Sequence, residues 1–163
     1  MSIEVVRANY ANPLHAAAIR ELLDAYACDP MGGGAPLRPE VKTNVVGALA
    51  KLPHASSLLA YADGVPVGLV NCFEAFSTFA CRPLLNIHDF IVLGDYRGRG
   101  ISQRMLDAVE VLAREKGCCK ITLEVLTGNA PARAAYEKFG FRSYVLDERA
   151  GTAMFWQKCI DGA

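Results

Sequence analysis

Tyr96-Arg97-Gly98-Arg99-Gly100-Ile101-Ser102 is the stretch whose reading decides the fold. Before it runs Leu84 to Leu93, apolar enough for a strand. After it, Ser102 to Lys116 carries Met105, Leu106, Val109, Leu112 and Ala113 at helical spacing, with Arg104, Asp107, Glu110 and Arg114 on the other side and Gly117 as a stop. The stretch is therefore a strand-to-helix turn. Its glycines permit positive φ and close backbone approach. The helix start presents N–H groups that have no intrahelical partner, at the positive end of the dipole. Such a turn suits a phosphate group, and Arg97 and Arg99 add charge matched to a diphosphate. Two common phosphate motifs do not fit. The dinucleotide pattern G-x-G-x-x-G meets Gln103 where its third glycine belongs, and no Gly-Lys-Ser/Thr follows for a P-loop. What remains is R-x-x-G-x-G/A, with Ser102 in the last place.

Working outward, Cys119 to Leu126 reads as a strand, so Pro83 to Leu126 is a strand–helix–strand unit with a right-handed crossover between parallel strands. Ligands of such sheets bind beyond the carboxyl ends of the strands, where the glycine turn lies. Pro131 to Phe139 is a short helix ended by Gly140. Arg142 to Asp147 and Thr152 to Ile160 are expected to form a closing hairpin across Ala150-Gly151. Upstream, Ile3 to Ala8 is a strand, and Asn12-Pro13 opens a helix that ends near Ala27. A breaker cluster, Asp29 to Pro36, follows, and a second helix runs from Pro39 to Lys51. Asp63-Gly64 joins the strands Ser57–Ala62 and Val65–Phe73 as a hairpin. The order βααβββαβαββ predicts one α/β domain over residues 1–163, a mixed sheet of about seven strands with about four helices.

Composition narrows the function. The chain has 163 residues, 52% of them hydrophobic, enough for one well-filled core, and its formal net charge is zero. Neutrality and only two arginines at the turn argue against a nucleic-acid or anionic-membrane surface. No apolar run is long enough to span a bilayer, and Met1 to Arg7 reads as a strand rather than a secretory leader. The six cysteines show no C-x-x-C spacing, and His15, His54 and His88 are scattered, so no metal site is expected. Buried thiols in a reducing, cytoplasmic setting are the simpler expectation.

A second motif agrees with the first. Asn129, Ala132, Tyr136, Glu137, Lys138, Phe139, Gly140 and Phe141 fall in the pattern N-x-x-A-x-x-x-Y-E-K-x-G-F. Together the two motifs, covering Pro83 to Phe141, resemble those of the GNAT N-acyltransferase superfamily. The resemblance implies a GNAT-like fold in which two splayed parallel strands hold coenzyme A. It implies acetyl-CoA as co-substrate and direct acetyl transfer to a primary amine of a small molecule or protein. Backbone at Phe90, Ile91, Val92 and Leu93 would hold the pantetheine arm, and Arg97, Gly98, Arg99, Gly100, Ile101 and Ser102 the diphosphate. Asn129 would touch the coenzyme, although asparagine there also caps a helix well. Tyr136 would be the general acid for the leaving sulfur, although it shares the amphipathic face of Ala132, Ala135 and Phe139. The same fold without catalysis would be an acyl-CoA sensor.

The residues leave the base open among His88, Asp89, Glu124 and a water chain, with Asp89 and Glu124 preferred because they lie on the two strands flanking the cleft. Strand alternation sends His88 and Asp89 to opposite faces unless a bulge intervenes. The Asp29–Pro36 loop, with Met31, is a candidate lid, and Asn71, Phe73, Glu74 and His88 are candidates for the acceptor pocket. Ala153 to Trp156 fits a homodimer interface and a core equally well.

Overall fold

The computed structural model describes residues 1–147 and 149–160. The described chain forms two compact units, one from Met1 to Leu123 and one from Glu124 onward.

The first unit is a five-stranded sheet in the order β1 (Ile3–Arg7), β2 (Ala55–Ala62), β3 (Val65–Ser77), β4 (Arg82–Val92), β5 (Ile121–Leu123). All neighbours are antiparallel except β4 and β5, which run parallel. Helices α1 (Pro13–Cys28) and α2 (Pro39–Leu49) lie between β1 and β2 in sequence, and α3 (Ile101–Glu115) crosses from β4 to β5. Asn12 caps α1 as its position before proline predicts, its Oδ1 accepting the Leu14 N–H at 2.9 Å. Asp63 and Gly64 both take positive φ, the geometry a two-residue hairpin requires.

Strand alternation divides the core. Leu59, Leu69 and Ile91 face α1 and α2, packing with Ile19, Leu22, Val46 and Leu49. The opposite face receives α3, whose Ile101, Met105, Leu106, Val109 and Leu112 are buried as its periodicity predicts. Each such side chain is worth about 1.5–3 kcal/mol relative to exposure. Helix and sheet come close at Gly68, where an added Cβ would lie 2.7 Å from the Met105 sulfur. Among the described residues no helix is long and apolar enough to cross a membrane.

The second unit contains α4 (Ala130–Phe139), closed by Gly140 at φ 109°. The expected closing hairpin reduces to a single bridge, Val145 to Thr152, with Leu146, Phe155 and Trp156 exposed. Among the described residues the sheet therefore has five strands where about seven were expected. The strand expected to reach Leu126 stops at Leu123.

Candidate active site

The glycine turn is built as a strand-to-helix junction. β4 ends at Val92, a single 3-10 turn covers Gly94–Tyr96, and α3 starts at Ile101. Gly98 (φ 73°) and Gly100 (φ 78°) are left-handed, a conformation that favours glycine, and nothing lies within 4 Å of where their Cβ atoms would be. Gly100 is the N-cap of α3, so no side chain closes the helix start. Among the described residues, no backbone carbonyl takes the N–H groups of Gly98 to Ser102. An open, positively polarised cradle of main-chain donors fits a diphosphate. Ile101 is buried and Ser102 half-buried, so Ile101 offers the turn only its peptide group.

Both arginines of the turn have partners within the chain. The Arg97 Nε donates to the Val92 carbonyl at 2.8 Å, and its Nη2 binds the Asp29 carboxylate at 2.8 Å. Arg97 thus ties the turn to the α1–α2 loop instead of standing open to an anion. That bond, with a backbone N–H from Met31, holds the Asp29 carboxyl below the usual carboxylate range. Arg99 lies over the Tyr96 ring, 5.5 Å from its centroid. The α1–α2 loop is a closed turn and not a free lid: the Asp29 carbonyl accepts the N–H groups of Gly32, Gly33 and Gly34. Met31 in that turn is exposed.

β4 leaves its parallel neighbour early. The β4–β5 ladder runs only from Leu85–Ile121 to Ile87–Leu123, while β4 continues along β3 to Val92. Leu93 N–H donates to the Val67 carbonyl, so alternation turns the peptide groups of Leu93, Ile91 and Asp89 toward β3. The peptide groups of Phe90 and Val92 point to the other edge, beyond the end of the parallel ladder.

A bulge marks the place where the ladder ends. Asn71 pairs with Asp89 and Cys72 with Ile87, leaving His88 as the extra residue on β4. His88 and Asp89 accordingly do not alternate. The exposed His88 ring meets Phe73 edge-on at 5.5 Å, and Phe73 packs against the α1–α2 core. Asp89 is held on that same side by Asn71, whose Nδ2 donates to its Oδ2 at 2.9 Å. Behind Asn71, Ser57 Oγ donates to the Asn71 Oδ1 at 2.6 Å, and Tyr10 reaches Ser57 at 2.9 Å. Burial pushes the Cys72 thiol up to about 12, with the Asp89 charge adding to it. Burial also raises Tyr26, helped by the charges of Asp89 and Asp29.

Two candidates fall away from this group. Glu74 is on the opposite face of β3, paired at 3.2 Å with Lys116 just past the end of α3, because alternation separates it from Asn71 and Phe73. Glu124 is exposed and lies past the end of β5, so it is not on a strand.

In the second unit, the Asn129 Oδ1 accepts the Ala132 N–H at 3.2 Å, the helix-cap role its position predicts. Tyr136 is buried, its ring against Phe141 with centroids 5.8 Å apart.

The acetyltransferase (GNAT) family model matches residues 19–141, three quarters of the chain and both motifs. The chain belongs to the GNAT family. Among curated relatives, the streptothricin acetyltransferase of Streptomyces lavendulae is 38% identical over 86 residues, covering 53% of this GNAT chain and 43% of the relative. The aminoglycoside N(6')-acetyltransferase type 1 of Salmonella typhimurium is 24% identical over 91 residues, covering 54% and 63%. The chain thus spans about half the length of the curated relatives it matches. Two solved structures share the fold. A probable acetyltransferase superposes with a TM-score of 0.80 at 19% identity, over 98% of this chain and 99% of that one. AAC(6')-Iy in complex with the bisubstrate analogue CoA-S-monomethyl-acetylneamine gives 0.74 at 18% identity, over 98% and 100%.

Sequence reasoning about this GNAT chain missed Tyr10, Ser57 and Tyr26. A signal for Ser57 was present. It sits at a core-facing place two residues from Leu59, as Asn71 does from Leu69, and a polar residue at such a place requires a hydrogen-bond partner.

Proposed function

We propose that this chain transfers an acetyl group from acetyl-CoA to the primary amine of a small molecule. The observation that carries the reading is the unclaimed run of N–H groups from Gly98 to Ser102 at the start of α3, beyond the end of the parallel ladder. Bound there, acetyl-CoA supplies the acetyl thioester. Names of relatives support an amine acceptor: streptothricin, an aminoglycoside and thialysine are what those acetyltransferases are named for.

Three tasks fall to the chain's residues. An alkylammonium such as lysine's titrates near ~10.4, so the acceptor must lose a proton before it attacks. Asp89, held by Asn71 beside the bulge, takes that proton directly or through a water. The amine nitrogen bonds to the thioester carbonyl carbon, and edge-facing N–H groups of β4 stabilise the oxygen as charge builds on it. The carbon–sulfur bond then breaks, Tyr136, assigned by its place in the second motif, protonates the departing thiolate, and the second proton lost by the nitrogen returns to the tyrosine through water. Phe73 and His88 flank Asp89 as walls of the acceptor pocket.

The test is release of free thiol from acetyl-CoA over a panel holding lysine, a polyamine, an aminosugar antibiotic and a peptide with a free N-terminus. Saturable, amine-dependent release is expected. Tyr136→Phe should lower kcat at least about tenfold while changing the KM for acetyl-CoA less. Tight CoA binding with no turnover on any amine overturns the enzymatic reading in favour of an acyl-CoA sensor.

A further inference from the structure

We propose that Tyr10, Ser57 and Asn71 form a one-way hydrogen-bond chain that positions the Asp89 carboxylate for the incoming ammonium. This rests on Asp89 being the base of the transfer proposed above.

The direction of the chain follows from its chemistry. A serine hydroxyl has one hydrogen, and Ser57 gives it to the Asn71 Oδ1 at 2.6 Å. The 2.9 Å contact between Tyr10 and Ser57 must then have the tyrosine as donor. With its oxygen taken by Ser57, the Asn71 amide presents its Nδ2 to Asp89 at 2.9 Å. Turning that amide over would set its oxygen against a carboxylate oxygen, two acceptors with no proton between them. The chain therefore runs Tyr10 to Ser57 to Asn71 to Asp89, and its last donor complements an ionised carboxylate. A proton on Asp89 weakens that bond unless the amide and both hydroxyls reverse together.

The geometry favours a positioning role over incidental polar packing. Ser57, Asn71 and Asp89 are register partners on three adjacent strands, so the row is straight across the sheet. Ser57 and Asn71 are 1% and 2% exposed, sealed from water that would otherwise orient Asp89 at random. The bulge follows immediately at His88, turning β4 where the row reaches its end. Tyr26 of α1 and Cys72 of β3 are the titratable neighbours that feel the Asp89 charge. Burial raises both, and each stays neutral over the working range. His88, next along β4, turns its ring to Phe73.

The test is amine-dependent thiol release, with kcat and the KM for acetyl-CoA measured separately. Asn71→Leu should lower kcat about tenfold while the KM for acetyl-CoA stays at the parental value. Ser57→Ala, a milder change that keeps the falsifying arm if Asn71→Leu does not fold, should lower kcat by less, and Ser57→Thr should restore it. A kcat unmoved in both variants overturns the proposal. In that event a loss of thiol release in Asp89→Asn leaves the base assignment standing on its own. Full thiol release by Asp89→Asn overturns the base assignment and this inference together.

Discussion

The protein has two glycine-rich turns, and they treat their main-chain donors in opposite ways. At Gly32-Gly33-Gly34 all three N–H groups converge on one carbonyl, that of Asp29. At Gly98-Arg99-Gly100 no carbonyl among the described residues takes them, and a helix begins immediately after. Composition cannot tell these turns apart. The first closes on itself and has nothing left to offer a ligand. The second leaves its donors at the positive end of a helix, where an anion completes the bonding. An anion site is defined by where the N–H groups end, and glycine content is only what allows the backbone to get there.

Substitutions can break this contrast. Gly32→Ala should have the largest effect, because its Cβ would fall 1.9 Å from the Tyr26 carbonyl oxygen. A loss of about 3 kcal/mol is expected, seen as a fall of about 6–12 °C in Tm, with CoA affinity of the folded protein unchanged. Gly100→Glu should do the reverse. Calorimetry should show CoA binding weakened about 100-fold, or about 2.7 kcal/mol, while the strain of a side chain at φ 78° lowers stability by only about 1 kcal/mol. If Gly100→Glu binds CoA like its parent, the two turns do not differ in function. Asp29→Asn should have the smallest effect, since it removes the charge partner of the half-exposed Arg97 and costs about 1 kcal/mol or less at neutral pH. The Asp29 carboxyl is held below its unfolded value, so its contribution is present above the unfolded pKa and is lost as pH falls through the folded one. Denaturation curves of parent and Asp29→Asn should therefore converge in acid. Curves that stay parallel would mean that the Arg97 pairing adds nothing.

Local chemistry was legible in the sequence and long-range pairing was not. The buried stripe of α3 and the left-handed glycines before it follow from near neighbours and stand as read, and both ends of the helix lie one residue earlier than read. So does the cap of α4 by Asn129. The Asp29–Arg97 bond joins residues 68 apart, which no local pattern signals. The bulge at His88 was equally hidden: Ile87-His88-Asp89 contains no glycine or proline, and the extra residue exists only relative to the register of β3. Glu74 was misplaced for the same reason in miniature, since its partner Lys116 follows a helix that sequence could not assign to a face. The closing hairpin failed because alternation of apolar residues gives a strand its potential but not its partner.

Gly68 carries a last consequence. With only a hydrogen there, Met105 settles directly onto the strand, one helical turn from the residue that begins α3. The thickness of a single residue in the middle of the sheet thus sets the height of the anion cradle above it. Any larger group at 68 would act as a shim, lifting the near end of a rigid rod and shortening the reach of the main-chain donors toward the diphosphate. The proposed grip on acetyl-CoA therefore depends on a sheet position that meets α3 one helical turn beyond its start.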